Sequence, residues 1–195
     1  ALFDENGEKS ADFDAVLTVD GAYKAADFIN FCDAYDIPVL SLTNVKGYAA
    51  DVRSEKSIAK AVAKLTYAFA NANVPKVNVI TGEAYGSAYV TMNSKALGAD
   101  VTYAWPDASI GMMDANEAAK IMYADDIAKS ADVQSVISEK AAEYAALQSG
   151  VESAAARGYV DTIINPEDTR KYVAAAFEML YTKREDRPDK KHGTV

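Results

Sequence analysis

The chain has 195 residues, of which 50% are hydrophobic, and its 20 basic and 29 acidic residues give a formal net charge of −9. This length suits one large domain or two small ones, and it buries enough surface to fold without a disulfide or a metal ion. One cysteine cannot form an internal disulfide, and one cysteine with one histidine cannot supply a zinc tetrad. The acidic balance argues against nucleic-acid binding, and the absence of an apolar run of about 18 residues argues against a membrane span. We therefore expect no metal site and no nucleic-acid partner.

The two ends of the chain differ from its middle. Residues 1–12 are polar and predict an N-terminal extension, whereas residues 183–195 are highly charged and predict a solvated tail. Residues 13–182 contain no linker and predict one domain. Because the chain opens on Ala1, we expect either a part of a longer protein or an N-terminus processed after its methionine. His192 lies close to the end of the tail, which is a poor place to hold a catalytic imidazole.

Between these ends, short apolar runs alternate with helical patterns. We predict strands over residues 13–19, 39–44, 76–81, 101–104, 109–112 and 159–164. We predict helices over residues 22–35, from an N-cap at Ser54, from about Gly86, over residues 115–123 and 133–147, and from Asn165. The alternation predicts an α/β fold in which helical crossovers join parallel strands, although it leaves the strand order open.

Two loops are the candidate sites, because ligands of such sheets bind where the strands end. They are residues 42–48 and residues 81–89, after the second and third predicted strands. In the second loop, the backbone N–H groups of Ser87 and Ala88 are expected to face outward from a helix start and to stabilise an oxyanion. Close helix–sheet packing is the alternative explanation for small residues there. The loop lacks the Gly-x-Gly-x-x-Gly pattern of dinucleotide sites, and no histidine is placed to serve a nucleophile elbow.

The remaining reactive or unusual residues have structural explanations. Cys32 lies on the apolar face of a predicted helix, which indicates buried packing. The adjacent Asp125 and Asp126 are typical of a solvated helix end rather than of a metal site. Trp105 and the pair Met112 and Met113 are expected in the core.

Several motifs, in order along the chain, resemble the carboxyltransferase family of biotin-dependent acyl-CoA carboxylases and decarboxylases. They are FINFCDAYDIP (28–38), TNVKGY (43–48), VPKV (74–77), AYGSAY (84–89), SKALGAD (94–100), YAWP (103–106), TR (169–170) and PDKKHG (188–193). The family includes propionyl-CoA and acetyl-CoA carboxylase β subunits and the carboxyltransferase subunits of sodium-pumping decarboxylases. Its members carry two crotonase-like domains in tandem, and this sequence is similar to the C-terminal one, about half of such a chain.

The resemblance implies a crotonase-like spiral of β–β–α units that binds biotin or carboxybiotin, while the other domain receives the acyl-CoA. It implies that the N–H groups of Ser87 and Ala88 stabilise the biotin enolate during carboxyl transfer and that the cofactor itself is the base. It also implies a biotin pocket formed by the residues at the two loops, and these are Tyr85, Gly86, Asn44, Gly47 and Tyr48. Val90 is the implied substrate-binding position, although this valine replaces the aspartate of propionyl-type enzymes, and Ser87 replaces a glycine.

The same resemblance implies the partners of the chain. They are an N-terminal carboxyltransferase domain absent from this sequence, a biotin carboxyl carrier protein, acyl-CoA and further copies of the chain in a homo-oligomer. We expect a cytoplasmic location, with membrane association through a decarboxylase complex as an alternative, and no activity from the chain alone. A non-catalytic assembly module and a stand-alone crotonase-like hydratase or isomerase are the other hypotheses. The second of these needs acids near the oxyanion hole, where Glu83 is the only nearby carboxylate.

Overall fold

The strands of the protein run parallel, as the alternation of strands and helices predicts. The computed structural model describes residues 15–130 and 132–185, so the N-terminal extension, His192 and most of the charged tail lie outside the described residues. The strands are β1 (Val16–Leu17), β2 (Val39–Val45), β3 (Gly47–Tyr48), β4 (Lys76–Tyr85), β5 (Val101–Ala104), β6 (Ser109–Gly111) and β7 (Thr162–Ile163). One sheet has the order β2-β4-β5-β7 with β6 also paired to β4, and β1 pairs with β3 in a second, smaller sheet. The predicted α/β class is confirmed.

Helices connect these strands, as parallel pairing requires. They are α1 (Val19–Ala34), α2 (Val52–Asn71), α3 (Gly86–Thr91), α4 (Ala115–Met122), α5 (Ala124–Lys129), α6 (Val133–Tyr144), α7 (Val151–Ala156) and α8 (Thr169–Met179). Two 3₁₀ turns occupy Lys95–Leu97 and Pro166–Asp168, and a π-helical segment, Ala145–Ser149, follows α6 directly. Within the described residues, none of the helices combines the length and the apolar character that a membrane crossing requires.

The main sheet is covered on both faces. Helices α1 and α2 pack over one face, where Ile29 and Leu65 join Ile80 of β4 in the larger core cluster. Helix α8 covers part of the other face, where Val173 packs with Val79. Burial of the apolar side chains in these two clusters is the main favourable contribution to the stability of the fold. The predicted apolar face of α1 is confirmed, with Cys32 buried and its thiol pKa raised by that burial.

Both long helices begin earlier than the sequence pattern predicts. Thr18 caps α1 by accepting a hydrogen bond from the Gly21 N–H at 3.1 Å, so the chain is already helical at Val19, where a strand was expected. Asp51, and not Ser54, caps α2, because its carboxylate accepts hydrogen bonds from the N–H groups of Arg53 at 2.8 Å and Ser54 at 2.9 Å. These bonds, with that to Ser54 first, lower the pKa of the Asp51 carboxyl. Ser54 instead lies buried inside the first turn.

Strand β4 is longer than predicted and positions the candidate site. Its first half lies between β2 and β5, and its second half pairs with β6, with Glu83 opposite Ser109 and Tyr85 opposite Gly111. At Gly82, a side chain would bring its Cβ within 2.8 Å of the Asn44 Oδ1 atom, so a larger residue would displace the Asn44 side chain. The chain therefore stays extended past the predicted end of the strand and reaches Gly86 without a loop.

Candidate functional site

The junction between β4 and α3 is built around Gly86. This residue has a φ of +59°, and a Cβ at this position would lie 3.0 Å from the carbonyl oxygen of Met112. Both the backbone conformation and the space therefore favour glycine. Ser87 and Ala88 follow in the first turn of α3, where backbone N–H groups have no acceptor within the helix. Ser87 is exposed and the Ala88 side chain is buried.

A cavity of about 480 Å³ lies beside this helix start. Three stretches of chain that are distant in sequence form its walls. The lining residues are Gly86, Ser87, Tyr89, Val90, Ile110, Gly111, Met112, Tyr144, Gln148, Ala154, Arg157 and Tyr159. Among these described residues none is an aspartate, a glutamate or a histidine. The described lining is therefore mainly apolar and aromatic, with Gly86 and Ser87 of the helix start and a single cation in its wall, whereas Ala88 does not line the cavity.

That cation is the guanidinium of Arg157, the C-cap residue of α7. Its Nη2 atom donates a hydrogen bond to the Gln148 Oε1 atom at 2.8 Å. Gln148 belongs to the π-helical segment, a helix type that often occurs at functional sites. No sequence pattern pointed to Arg157, Gln148, Tyr144 or Tyr159, because isolated polar and aromatic residues on predicted helices and turns give no periodic signal.

Of the residues predicted to bind biotin, Tyr85 lies behind the cavity rather than in it. The buried Tyr85 hydroxyl donates a hydrogen bond to the Ser109 Oγ atom at 2.8 Å. The Ser109 hydroxyl donates in turn to the Ser149 carbonyl oxygen at 3.4 Å. Burial, the largest cause, raises the pKa of the Tyr85 phenol. This chain of hydrogen bonds joins β4 and β6 to the π-helical segment, so Tyr85 braces the wall that carries Gln148.

The first predicted loop does not reach the cavity. The Asn44 side chain accepts a hydrogen bond from the Glu83 N–H at 3.0 Å, which links β2 to β4. Gly47 and Tyr48 form β3 and pair with Val16 and Leu17 of β1. The structure thus brings Gly86, Ser87 and Val90 together at the cavity and leaves Asn44, Gly47 and Tyr48 beside it.

The three residues expected in the core differ in burial, and Met113 is half-buried. Met112 is 76% exposed, so its prediction as a core residue is wrong, because it follows β6 at the rim of the cavity rather than under a helix. Trp105 is half-buried and packs against the smaller core cluster, and its Nε1 atom donates a hydrogen bond to the Thr169 Oγ1 atom at 2.9 Å.

Tyr89 lines the cavity but is itself buried, and no hydrogen-bond partner of its hydroxyl lies within the described part of the chain. Burial raises the pKa of this tyrosine to about 12. The hydroxyl is therefore a buried polar group whose lost hydration nothing in the described chain replaces.

No group of three or more histidine, cysteine, aspartate or glutamate side chains is arranged as a metal site within residues 15–130 and 132–185. Asp125 and Asp126 are exposed at the start of α5, as predicted for solvated acids. The described lining of the cavity consists of apolar and aromatic side chains, the start of α3 and one guanidinium.

A family model for the carboxyl transferase domain matches residues 9–195. The chain belongs to this family. One relative is a Bacillus subtilis protein provisionally named a propionyl-CoA carboxylase beta chain, and this chain is 50% identical to it over 180 residues. The methylmalonyl-CoA carboxyltransferase 12S subunit of Propionibacterium freudenreichii subsp. shermanii is 43% identical over 178 residues. These matches cover 92% and 91% of this chain but 36% and 34% of the relatives.

A solved structure of transcarboxylase 12S, described as a hexamer assembly with methylmalonyl-coenzyme A and methylmalonic acid bound, aligns with a TM-score of 0.86 and 42% identity. The alignment covers 91% of this chain and 34% of that chain. This similarity confirms the crotonase-like fold. The carboxyl transferase domain thus spans about a third of the proteins that it matches, and the expected share of one half is wrong.

Proposed function

We propose that this carboxyl transferase domain is the C-terminal, biotin-binding part of an acyl-CoA carboxyltransferase. The observation that carries the proposal is the junction at Gly86, where a strand passes directly into a helix whose first residues, Gly86 and Ser87, line a largely apolar cavity. In this proposal the N–H groups of Ser87 and Ala88 donate to the ureido oxygen of biotin. Removing one such donor from an oxyanion site typically lowers the rate by a factor of about 10²–10³.

The residues present suit a biotin ring. A fused bicycle with one polar edge matches a cavity with apolar walls, such as Val90 and Ile110, and with donors at one end. The Gly86 position supports the same fit, because a side chain there would collide with the Met112 backbone at the cavity edge. When bound, the ureido group supplies both the carboxyl group to be transferred and the base that takes a proton from the acyl-CoA.

The task of this chain would then be positioning and electrostatic stabilisation. The first turn of α3 holds its donors where negative charge develops on the ligand oxygen, and their orientation is set before binding. Tyr85 holds the opposite wall through Ser109 and Ser149. No carboxylate or imidazole lies among the described lining residues, which supports a proton transfer carried by the ligand rather than by a side chain.

The acyl-CoA and the groups that bind it belong, in this proposal, to the remaining two thirds of the protein or to a second subunit. A biotin carrier protein would deliver the ring to the open side of the cavity. The acidic charge of this chain supports such a division, since polyanionic coenzyme A would be held mainly elsewhere.

The direct test compares Ser87→Pro with Ser87→Ala. Proline removes the backbone N–H, whereas alanine removes only the hydroxyl and keeps the donor. We would measure the affinity of each variant for biotinamide, a neutral form of the ligand, by NMR titration. Loss of one hydrogen bond of about 1 kcal/mol predicts roughly fivefold weaker binding to Ser87→Pro and unchanged binding to Ser87→Ala. Equal affinities in the two variants, with matching spectra elsewhere, would refute the assignment of this donor.

A role in assembly is the second candidate, and one surface favours it. Helix α1 and strand β2 expose a set of large apolar side chains, which are Phe28, Phe31, Tyr35, Ile37, Leu40 and Leu42. Apolar patches of this kind mark interfaces between proteins. Sedimentation of the wild type and of Leu42→Asp distinguishes the cases, because an assembly module forms a defined oligomer that the new charge dissociates.

The hydratase or isomerase hypothesis receives no support from the site. Its candidate acid, Glu83, forms an ion pair with Lys46 at 3.7 Å, and its backbone N–H is bonded to Asn44. Glu83 does not line the cavity. A catalytic acid must lie within hydrogen-bond reach of the reacting group, and no described carboxylate meets this requirement.

A further inference from the structure

We propose that Arg157, held in place by Gln148, recognises a carboxylate on the ligand of this cavity and so distinguishes the carboxylated form of biotin from the uncarboxylated form. The inference rests on the proposed function and adds to it a residue that determines specificity. The ligand class is a cyclic urea that bears a carboxylate on one ring nitrogen.

The first support is the position of the guanidinium. Arg157 lines the cavity, and the hydrogen bond to Gln148 at 2.8 Å uses one of its five N–H donors. Among residues 15–130 and 132–185, no carboxylate lies within ion-pair distance of Arg157. The remaining donors therefore have no anion within the described chain.

Two of the other described cations are already paired with carboxylates. Arg53 forms a two-pronged pair with Asp20 at 2.8 and 2.7 Å, and Lys95 contacts both carboxylate oxygens of Asp161 at 2.6 Å. Acidic residues outnumber basic ones in this sequence by 29 to 20. A guanidinium that is bonded to a neutral amide beside an apolar cavity is a suitable partner for an incoming anion.

The second observation is that the segment carrying Gln148 is held in place by hydrogen bonds. The neighbouring Ser149 is buried, and its carbonyl accepts the hydrogen bond from Ser109, which Tyr85 holds in turn. The segment that carries the Gln148 amide is thus tied to two strands. An amide carried by a fixed segment reduces the conformational freedom that Arg157 would lose on binding a ligand.

The chemistry of arginine fits the proposed ligand. Its planar guanidinium binds a carboxylate through two parallel N–H···O bonds, which a lysine ammonium cannot reproduce. Arg157 and Gln148 are both exposed at the wall of the cavity, so the guanidinium is accessible to an incoming ligand. The competing explanation is that Arg157 only stabilises the C-terminal end of α7 through the helix dipole, a role that any cation would fill.

The test uses the full 195-residue chain and two ligands measured by NMR titration or calorimetry. One is neutral biotinamide, and the other is its N-carboxymethyl derivative on the ureido ring, a stable anion. The variants are Arg157→Gln, Arg157→Lys and, as a matched control, Arg170→Gln on the exposed face of α8, which contributes nothing to the cavity lining. Thermal unfolding of each variant shows whether the fold is retained.

We expect Arg157→Gln to bind the anionic ligand about tenfold more weakly than the wild type and to bind biotinamide unchanged. Arg157→Lys keeps the charge at the helix end but loses the two-pronged contact. Its affinity for the anion should therefore lie between those of the wild type and Arg157→Gln. Arg170→Gln should match the wild type with both ligands.

Three results would overturn the inference. They are an unchanged affinity of Arg157→Gln for the anion, an equal loss for both ligands, and a wild type that does not prefer the anion. The last result, with biotinamide still bound at Ser87, would leave the proposed function standing. Failure of the wild type to bind either ligand would refute both.

Discussion

Replacement of Gly86 by alanine should destabilise the protein and close the entrance to the cavity at the same time. The residue has a φ of +59°, and the added Cβ would meet the Met112 carbonyl oxygen at 3.0 Å. Two other glycines separate these effects. Gly158 has a φ of +81° with nothing within 4 Å of the added Cβ, and Gly47 has open space and no positive φ.

The expected costs follow from these differences. A left-handed conformation costs an L-residue about 1–2 kcal/mol, and the lower entropy of the unfolded alanine variant returns about 0.4–1 kcal/mol. Gly158→Ala should therefore lose about 0.5–1 kcal/mol, and Gly47→Ala should be neutral or slightly more stable. Contact with a backbone oxygen adds about 1–3 kcal/mol of overpacking, so Gly86→Ala should lose about 2 kcal/mol or more.

Urea denaturation of the three variants measures these free energies of unfolding, provided that all share one m-value. Titration with biotinamide then measures the functional effect, which should be confined to Gly86→Ala. If Gly86→Ala is no less stable than Gly158→Ala, the contact with Met112 does not constrain the junction. Glycine would then not be required where β4 joins α3.

Three further predictions concern the rest of the fold. Asp51→Ala should lower the urea midpoint at neutral pH. The difference between the midpoints of the variant and the wild type should shrink as the pH falls below 3.8, because the Asp51 carboxyl, whose pKa is lowered in the folded state, stabilises that state only while it is ionised. Tyr89→Phe should raise the free energy of unfolding by about 1 kcal/mol, since it removes a buried hydroxyl without a partner. The wild type should lose more stability than this variant as the pH rises from 10 towards the raised Tyr89 pKa of about 12, and the difference in ultraviolet absorbance between the two proteins should follow that ionisation. Asp100→Asn should cost about 1–3 kcal/mol in urea unfolding, since Lys183 is 9% exposed and contacts the Asp100 carboxylate at 2.9 Å, and an unchanged midpoint would contradict this.

Local patterns predicted the elements that are long and amphipathic. The apolar repeats of α1 and α2 identify the faces that are buried, because a helix packed on one side must place apolar residues on that side. Caps were less predictable, since Asp51 and Ser54 are both acceptable N-cap residues and only the backbone path decides between them. The small residues after β4 similarly indicated the candidate site without showing what faces it.

The opposite wall of the cavity was not predictable. Arg157 and Gln148 lie more than sixty positions beyond Ser87 in the sequence, and only the packing of β6 and the π-helical segment against β4 brings them to the cavity. The same packing extends β4 to Tyr85 and leaves Met112 exposed at the rim. Periodicity reports which face of one element is buried, and it carries no information on which distant element covers that face.

The sequence by itself determined the α/β class, the family resemblance and the place where backbone donors meet a strand end. It did so because burial, capping and close backbone approach limit the residue types at each position. The tertiary structure decided that Tyr85 braces the site rather than entering it, that Asn44 links two strands, and that a guanidinium lies in the cavity wall. These outcomes depend on contacts between segments far apart in the chain, and the free energy of such contacts is set only when the chain has folded.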